Sequence, residues 1–503
     1  MNKIIPLQTE FIKPREFVRG GPEYDALVHD LDFISDSIRH SGIENVIMQY
    51  FIDRTSSNAC NKKLKNAKLA KTQKKALFVL YAMVLRDYLG LKLRPFQVIL
   101  ASCPIFQSFC GINTWLGAEI PSFQEINVLE NSLDETIMKT INTMFVNNVV
   151  LNNAKTKKLG LKEKFNLELL LTDSTCMKTN IHYPVDYVLF RDMIRTSMLK
   201  VAMIREEGIK VRMPYEAEEW LPKINALIIE MSMAYRQKDA KKKRKSIFRK
   251  MKKLFKQAMF HVDAHLEKFE KSWQDYGFSS IKAESIIITL KDMLDCQDAV
   301  ISVANRRIIR EEKVECKDKI LSVYEDDVHI ITRNKDGSKV EFGNTLQFVE
   351  QADGFIIDYD LSKGPSKGDS EGGIESLKRI LEDYKSHTIK GIVADRGYDA
   401  KKLDDCIKGL NEKYNRKIQN EVLPKNPVER KEKMKEAKFK KLHKRRSTTE
   451  AKVAHIKKIT ENPMKQKGIR NRKTHMGIAV FTHNLMKLAR LHREQESEAL
   501  IAS

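Results

Sequence analysis

The chain has 503 residues, with 90 Lys+Arg against 67 Asp+Glu and a formal net charge of +23. At roughly 150 residues per domain its length suggests about three domains. A hydrophobic content of 42% with 31% charged residues excludes global disorder and a collagen-like chain. The longest apolar runs, Leu77 to Leu85 and Ser285 to Leu290, fall far short of the roughly 20 residues needed to cross a bilayer. The start, MNKIIPLQTEFIKPREF, carries charges and Pro where a secretory signal needs an unbroken apolar stretch, so a cytoplasmic location with no membrane partner is expected. Seven scattered Cys without a C-x-x-C pair fit reduced thiols and argue against a thiolate zinc site. A sequence pI near 9.4 points to a polyanionic partner, nucleic acid first and an anionic membrane surface second.

Residues 1–164 form the first expected domain. Apolar positions recur at spacings of three and four over Tyr24 to Ile52, Lys74 to Tyr88 and Leu133 to Val150, so the region reads as helical. Loops at Leu89 to Pro95, Gly111 to Asn113 and Ile120 to Ser122 separate the helices, as in a small bundle or a DNA-binding helix-turn-helix. Both readings stand, and no recognition helix is singled out.

Phe165 to Thr172 (FNLELLLT) reads as a buried strand delivering Asp173 at its C-terminal edge, within a segment 165–185. Residues 186–310 are helical again and include Lys238 to Lys256, where eleven of nineteen residues are Lys or Arg. Ile247, Phe248, Met251, Leu254 and Phe255 fall at helical spacing inside that run, so it is an amphipathic basic helix, either a solvated face or a phosphate-tracking one. Lys241, Lys242, Lys243, Arg244 and Lys245 are its densest cluster. Strands are expected at Ile320 to Thr332, Ser338 to Phe342, Thr345 to Val349 and Phe355 to Asp360, with turns at residues 334–337 and 352–354 making antiparallel hairpins. A loop over Ser362 to Gly373 leads to a helix at Ile374 to Tyr384, a buried strand at Ile389 to Ala394 and a helix at Tyr398 to Leu410. This order predicts a mixed α/β core over 311–491, followed by a tail at 492–503.

Two strand ends finish on aspartate, Asp173 in LLLTD and Asp395 in IVADRG. In open α/β sheets such ends converge on a crevice, although each Asp alone also suits a cap or turn. A third carboxylate, Glu450, lies in a stretch from His443 to Lys457 without Gly or Pro. On one continuous helix Arg446, Glu450 and Lys457 share a stripe, a pattern that is also routine for exposed charge pairs. Three carboxylates from distant segments suit Mg²⁺, a hard cation held by a few carboxylates plus waters and phosphates. Arg446 and Lys457 suit the phosphates. Asp326, Asp327, Asp358, Asp360, Asp369 and Asp399 compete for the ligand roles, the last two more simply as cap or loop residues. No P-loop, H-E-x-x-H or G-x-S-x-G motif is present.

With these residues in view, the sequence resembles a prokaryotic DDE insertion-sequence transposase. The matching segments are LTDST with Asp173, then TNIHYPVD; VADRGYD with Asp395; RSTTEAKVAHIK with Arg446, Glu450 and Lys457; and GIAVFTHNLMKLARL as a closing helix behind the Glu helix. The family's Tyr-Arg-Glu-Lys signature has His443 at its Tyr position. The resemblance implies a ribonuclease H-like mixed sheet flanked by helices, here with a helical N-terminal domain; residues 186–310 read as a large helical basic insertion between the first strand and the hairpins, a departure from the family's usual insertion ahead of the Glu helix. It implies Asp173, Asp395 and Glu450 as catalytic ligands of two Mg²⁺ ions, with Mn²⁺ able to substitute, and His443, Arg446 and Lys457 as DNA contacts; the Lys241 to Lys245 cluster is expected to contact DNA from its charge. The implied activity is cleavage at transposon ends and strand transfer into double-stranded target DNA, by a nucleoid-associated protein that is at least dimeric on DNA. The alternatives are a non-catalytic DNA-binding derivative and a nuclease without strand transfer.

Overall fold

The computed structural model of the chain describes residues 4, 20–57, 66–113, 117–332, 340–364, 368–446 and 448–502. The expected turn at 334–337, Cys60, Trp115, Ser447 and residues 365–367 of the Gly/Ser/Lys loop lie outside the described residues.

The N-terminal helices are α1 (Pro22–Ser41), α2 (Ile43–Ser57), α3 (Asn66–Leu89), α4 (Leu93–Ser102), α5 (Pro104–Phe109), α6 (Phe123–Asn131), α7 (Glu135–Phe145) and α8 (Asn153–Lys158). Their boundaries follow local chemistry. Pro occupies the first turns of α1 and α5, where its missing N–H costs nothing. A capping box of Ser122 and Glu125 opens α6, and Gly42 takes the left-handed conformation that ends α1. Strand β1 (Leu169–Lys178) follows, then α9 (Asp186–Glu206), α10 (Trp220–Ala234), α11 (Ala240–Ser272) and α12 (Ser280–Ala304). Beyond them lie β2 (His329–Thr332), β3 (Val340–Gln351), β4 (Ile356–Leu361), α13 (Asp369–Asp383), β5 (Gly391–Val393), α14 (Lys401–Tyr414) and β6 (Gln419–Asn420). The chain closes with α15 (Pro427–Lys433), α16 (Ala437–Arg446), α17 (Thr449–Ile459) and α18 (Ile469–Ala502).

Two compact units divide the chain, one formed by Met1–Thr179 with Asn344–Ser503 and the other by Asn180–Gly343. In the first, the strands run in the order β4, β3, β1, β5, β6. β3 and β4 are antiparallel, with Phe348 opposite Tyr359 and a bulge at Val349/Glu350. β1, β5 and β6 are parallel. The sheet is therefore mixed, as the sequence reading has it.

One face of the sheet packs on the N-terminal helices. Leu170, Val349, Ile357 and Ile392 share a single apolar cluster with residues of α1, α2, α3, α7 and α18. The other face buries Leu346, Phe348 and Ile356 against Ile456 of α17 and Met476 and Val480 of α18. The N-terminal helices thus share a core with the sheet instead of enclosing a separate one.

The second unit has its own apolar core, built by α9, α10, α11 and α12. Phe190 stacks on Phe255 at 4.4 Å. Helix α11 buries Ile247, Phe248, Met251 and Phe255 and leaves its cations on the opposite side, as its amphipathic pattern requires.

Three sequence expectations change. β1 does not end at Thr172 but continues to Lys178, so Asp173 lies within a strand. Its Thr172 hydroxyl accepts from Gln347 Nε2 at 2.5 Å, and Cys176 and Met177 are buried, so tertiary packing carries the strand through polar residues. The two strands expected at 338–342 and 345–349 are one, β3. Of the strand expected over 320–332, only His329–Thr332 is extended and paired.

Candidate catalytic carboxylate site

Asp173 and Asp395 are brought together by strand register. Parallel pairing of β1 and β5 sets Leu169 beside Gly391, Leu170 beside Ile392 and Leu171 beside Val393. Each aspartate lies two residues beyond the last pair, on the side to which residues 171 and 393 point. Asp173 Oδ1 accepts its neighbour Ser174 N–H at 2.8 Å. Asp395 opens a short turn and accepts Gly397 N–H at 2.8 Å. That turn is fixed by Tyr398, fully buried, whose hydroxyl donates to Gln347 Oε1 at 2.8 Å. The aspartates therefore stand on a rigid base of buried hydrogen bonds.

A third carboxylate joins them. Asp369, in the first turn of α13, accepts the Ser174 hydroxyl at 2.7 Å through Oδ1. A Cβ on Gly397 would come within 2.5 Å of Asp369 Oδ2 and 3.0 Å of Asp395 Oδ1, so the absent side chain is what lets the two carboxylates flank this backbone. Asp369, expected in a loop or as a cap ahead of a helix at Ile374, lies in the first turn of a helix that starts five residues earlier, and its carboxylate faces the site. Its partner Ser174 is far away in the chain, so no local signal marks it.

Burial pushes the Asp173 carboxyl up to about 6; Asp395 and Asp369 push the same way, while the Ser174 N–H and Arg446 oppose them. Arg446 Nη1 lies 3.7 Å from Asp173 Oδ2. Arg446 Nε is buried with no hydrogen-bond partner among the described residues.

Along the expected stripe of Arg446, Glu450 and Lys457, α16 is described to Arg446 and α17 from Thr449, with Thr448 in an α-type conformation and Ser447 outside the described residues. Thr448 N–H and hydroxyl both bond to Arg445 O, at 3.1 and 2.8 Å, while the Arg445 guanidinium is drawn to Thr448 Oγ1 and the Ala352 carbonyl. Thr449 then donates at 2.5 Å to Glu350 Oε1, and Lys452 Nζ lies 2.8 Å from Glu350 Oε2. Glu350 is fully buried near the end of β3, so it ties the first turn of α17 to the sheet. Glu450, in that turn, is exposed and makes no hydrogen bond or ion pair among the described residues. The three expected ligands are not gathered within 4.8 Å of one another.

The other expected contacts fall as follows. His443 is half-buried, donates Nε2–H to Glu421 O at 3.0 Å and packs its ring 4.4 Å from that of Phe439. Lys457 is half-buried on α17. On α11, Lys241 and Lys245 both pair with Glu311, at 3.1 and 2.8 Å, Lys243 donates to Gln237 at 2.6 Å, and Arg244 covers the Tyr235 ring at 3.9 Å. Lys242 alone of this cluster has no such partner among the described residues. Among the rival carboxylates, Asp358 is engaged by both Arg379 nitrogens, at 3.0 and 2.7 Å, and Asp399 accepts Lys425 N–H at 2.6 Å.

The donor atoms here are carboxylate oxygens alone, the type a hard divalent cation takes; burial first, and then the neighbouring Asp395 and Asp369, raises the affinity of Asp173 for a proton. No described helix is long and apolar enough to cross a membrane.

Residues 330–485 match the model of the transposase DDE domain, a span that includes Asp369, Asp395, Arg446, Glu450 and Lys457 and covers less than half of the chain. Asp173 lies upstream of the match. No curated protein matches the chain, and no solved structure does. The domain match supports a transposase-type function, for which DNA is the substrate class and divalent metal ions are general in the family.

Proposed function

We propose that the chain is a DDE transposase that cuts a phosphodiester at each transposon end and joins the freed 3′-hydroxyl to target DNA. The observation that carries this reading is the placement of Asp173 and Asp395 side by side beyond one strand register, with Asp395 inside the matched domain. The strand order β4, β3, β1, β5, β6, with parallel β1, β5 and β6, also supports a ribonuclease H-like core.

Asp173, Asp395 and Glu450 are the metal ligands in this reading. Bound Mg²⁺ supplies charge neutralisation at the phosphate and lowers the pKa of an oxygen nucleophile. In the first step water oxygen bonds to phosphorus and the bond to the 3′-oxygen breaks, leaving a 3′-hydroxyl. In the second, that hydroxyl attacks a target phosphodiester and releases a target 3′-hydroxyl, so one ester bond replaces another. The chain's own work is positioning and charge. The buried Gln347–Tyr398 contact holds the Asp395 turn, and the Arg446 guanidinium, 3.7 Å from Asp173, supplies positive charge for the phosphate. Lys457 and the basic helix hold more distant phosphates. Pairing of two ends requires at least a dimer on DNA, and the protein acts in the cytoplasm at the nucleoid.

The test is Mg²⁺-dependent cutting and joining of labelled DNA that carries the flanks of the gene. Specific cuts with joined products, both absent in Asp395→Asn, are expected. Specific binding without cutting, equal in both proteins, would make the chain a DNA-binding derivative; cuts without joining would make it a nuclease.

A further inference from the structure

A second set of metal-binding groups lies outside the carboxylate site, where α1 meets the end of α18. His29 belongs to α1, and His492 and Glu496 stand one turn apart on α18. His29 Nε2 is 3.1 Å from Glu496 Oε2, and His492 Nε2 is 3.7 Å from Glu496 Oε1. Among the described residues, this is the trio of His, Cys, Asp or Glu whose ligand atoms all lie within 4.8 Å of one another.

The distances discriminate between two accounts. A hydrogen-bonded pair explains the contact of His29 with Glu496, but 3.7 Å is too long for one from His492. Ligands about 2.0–2.1 Å from a tetrahedral zinc ion stand about 3.3 Å apart; one imidazole lies 3.1 Å from one Glu496 oxygen and the other 3.7 Å from its second oxygen, and one ligand atom from each of the three residues falls within 4.8 Å of the others. The surroundings hold the rings in place. They stack on each other with centroids 5.3 Å apart, and Phe33 covers His492 at 4.4 Å. Gly160, at φ +82°, passes so close that a Cβ there would lie 2.9 Å from His492 Nε2, and the next turn is fixed by Lys162 N–H donating to Gln495 Oε1 at 2.9 Å. The adjacent Arg493 is already paired with Asp30 at 2.9 Å, which keeps its charge from competing with a cation.

We propose that His29, His492 and Glu496 form a three-ligand site for a zinc-type divalent cation, which fastens the last turns of α18 to α1 and leaves a fourth position for water. Two imidazoles in the donor set select Zn²⁺ over Mg²⁺, so the site is chemically distinct from the carboxylate cluster. The inference does not depend on the transposase reading.

Metal-free full-length protein is titrated with Co²⁺, followed by its visible ligand-field absorption, and Zn²⁺ is then added in competition. One equivalent of four-coordinate Co²⁺ is expected, displaced by Zn²⁺ and not by excess Mg²⁺, together with a rise in melting temperature on adding Zn²⁺. His29→Ala, His492→Ala and Glu496→Gln each weaken binding by at least about tenfold, whereas Asp173→Asn and Asp395→Asn leave it unchanged. His29 and Glu496 are partly exposed, so those two variants test ligation even if His492→Ala fails to fold. Absence of saturable binding, bands retained in the His29 and Glu496 variants, or a thiolate charge-transfer band showing that cysteines hold the ion would overturn the proposal.

Discussion

Asp173 and Asp395 come from distant parts of the chain yet lie at equal distances beyond one register, since Leu171 pairs with Val393 and each aspartate is two residues further on. Placed together under partial burial, the ionised forms repel. Burial, helped by Asp395 and Asp369, raises the folded-state pKa of Asp173 to about 6. A raised pKa contributes stability below the unfolded value, and that contribution is lost as pH rises through about 6. At neutral pH, without divalent cations, Asp173→Asn therefore melts higher than wild type, by no more than about 3 kcal/mol in free energy. The gain shrinks toward pH 4. Melting curves across this range check it; equal melting at pH 7 would show that the carboxylates are not strained.

Proton and metal compete for the same oxygen atoms, so Mg²⁺ affinity is coupled to pH. Because Asp173 holds its proton up to about pH 6 in the metal-free protein, the Mg²⁺-induced rise in melting temperature is small at pH 5 and reaches its full size above pH 7. Asp395→Asn abolishes most of the rise at every pH. A pH-independent Mg²⁺ effect would place the cation elsewhere.

Periodicity and apolar runs were enough to read the helical block of the second unit and the strands that make a mixed sheet, because each element rests on neighbours close in sequence. What could not be read depends on distant partners. Nothing local to LLLTDSTCMK says that β1 lies beside β3 and runs on past Asp173, where its pairing with β5 has already ended. The stretch from His443 to Lys457 reads as helical, but nothing in it says that Thr449 bonds to Glu350 about a hundred residues upstream or that Arg445 turns to Ala352. Asp369 looked like a simple cap because the Ser174 that draws it to the site lies on another strand. The N-terminal helices read as a separate domain because a hydrophobic stripe does not say what it packs on.

Glu350 is buried, and its charge is met by Lys452 and the Thr449 hydroxyl. Removing one partner leaves an uncompensated buried carboxylate, so Lys452→Met destabilises the fold by about 3–5 kcal/mol. The double variant Glu350→Leu with Lys452→Met recovers most of that loss. It does not recover cleavage, because α17 has lost the contact that sets the turn bearing Glu450. Urea denaturation and a cleavage assay on the same proteins separate the two effects; full cleavage by the double variant would remove Glu350 from any positioning role.

The cations of α11 are not equivalent. Lys241 and Lys245 share Glu311, Lys250 lies 3.8 Å from Glu230, and Lys252 donates to Asn305 at 3.2 Å. Lys242, Arg249, Lys253 and Lys256 are exposed, and no described residue pairs with them. At about 100° per residue these four fall within about 60° of one another, along about 21 Å of helix opposite the buried seam. Phosphates displace counterions from free cations far more than from cations already paired, so this stripe should dominate binding through α11, in place of the dense Lys241 to Lys245 run. Changing all four to Gln lowers the slope of log affinity against log salt by up to about four. Changing Lys241 and Lys245 to Gln moves it by less than about one. Fluorescence-anisotropy titrations at several salt concentrations give both slopes, and equal losses in the two variants would mean that α11 contributes only net charge.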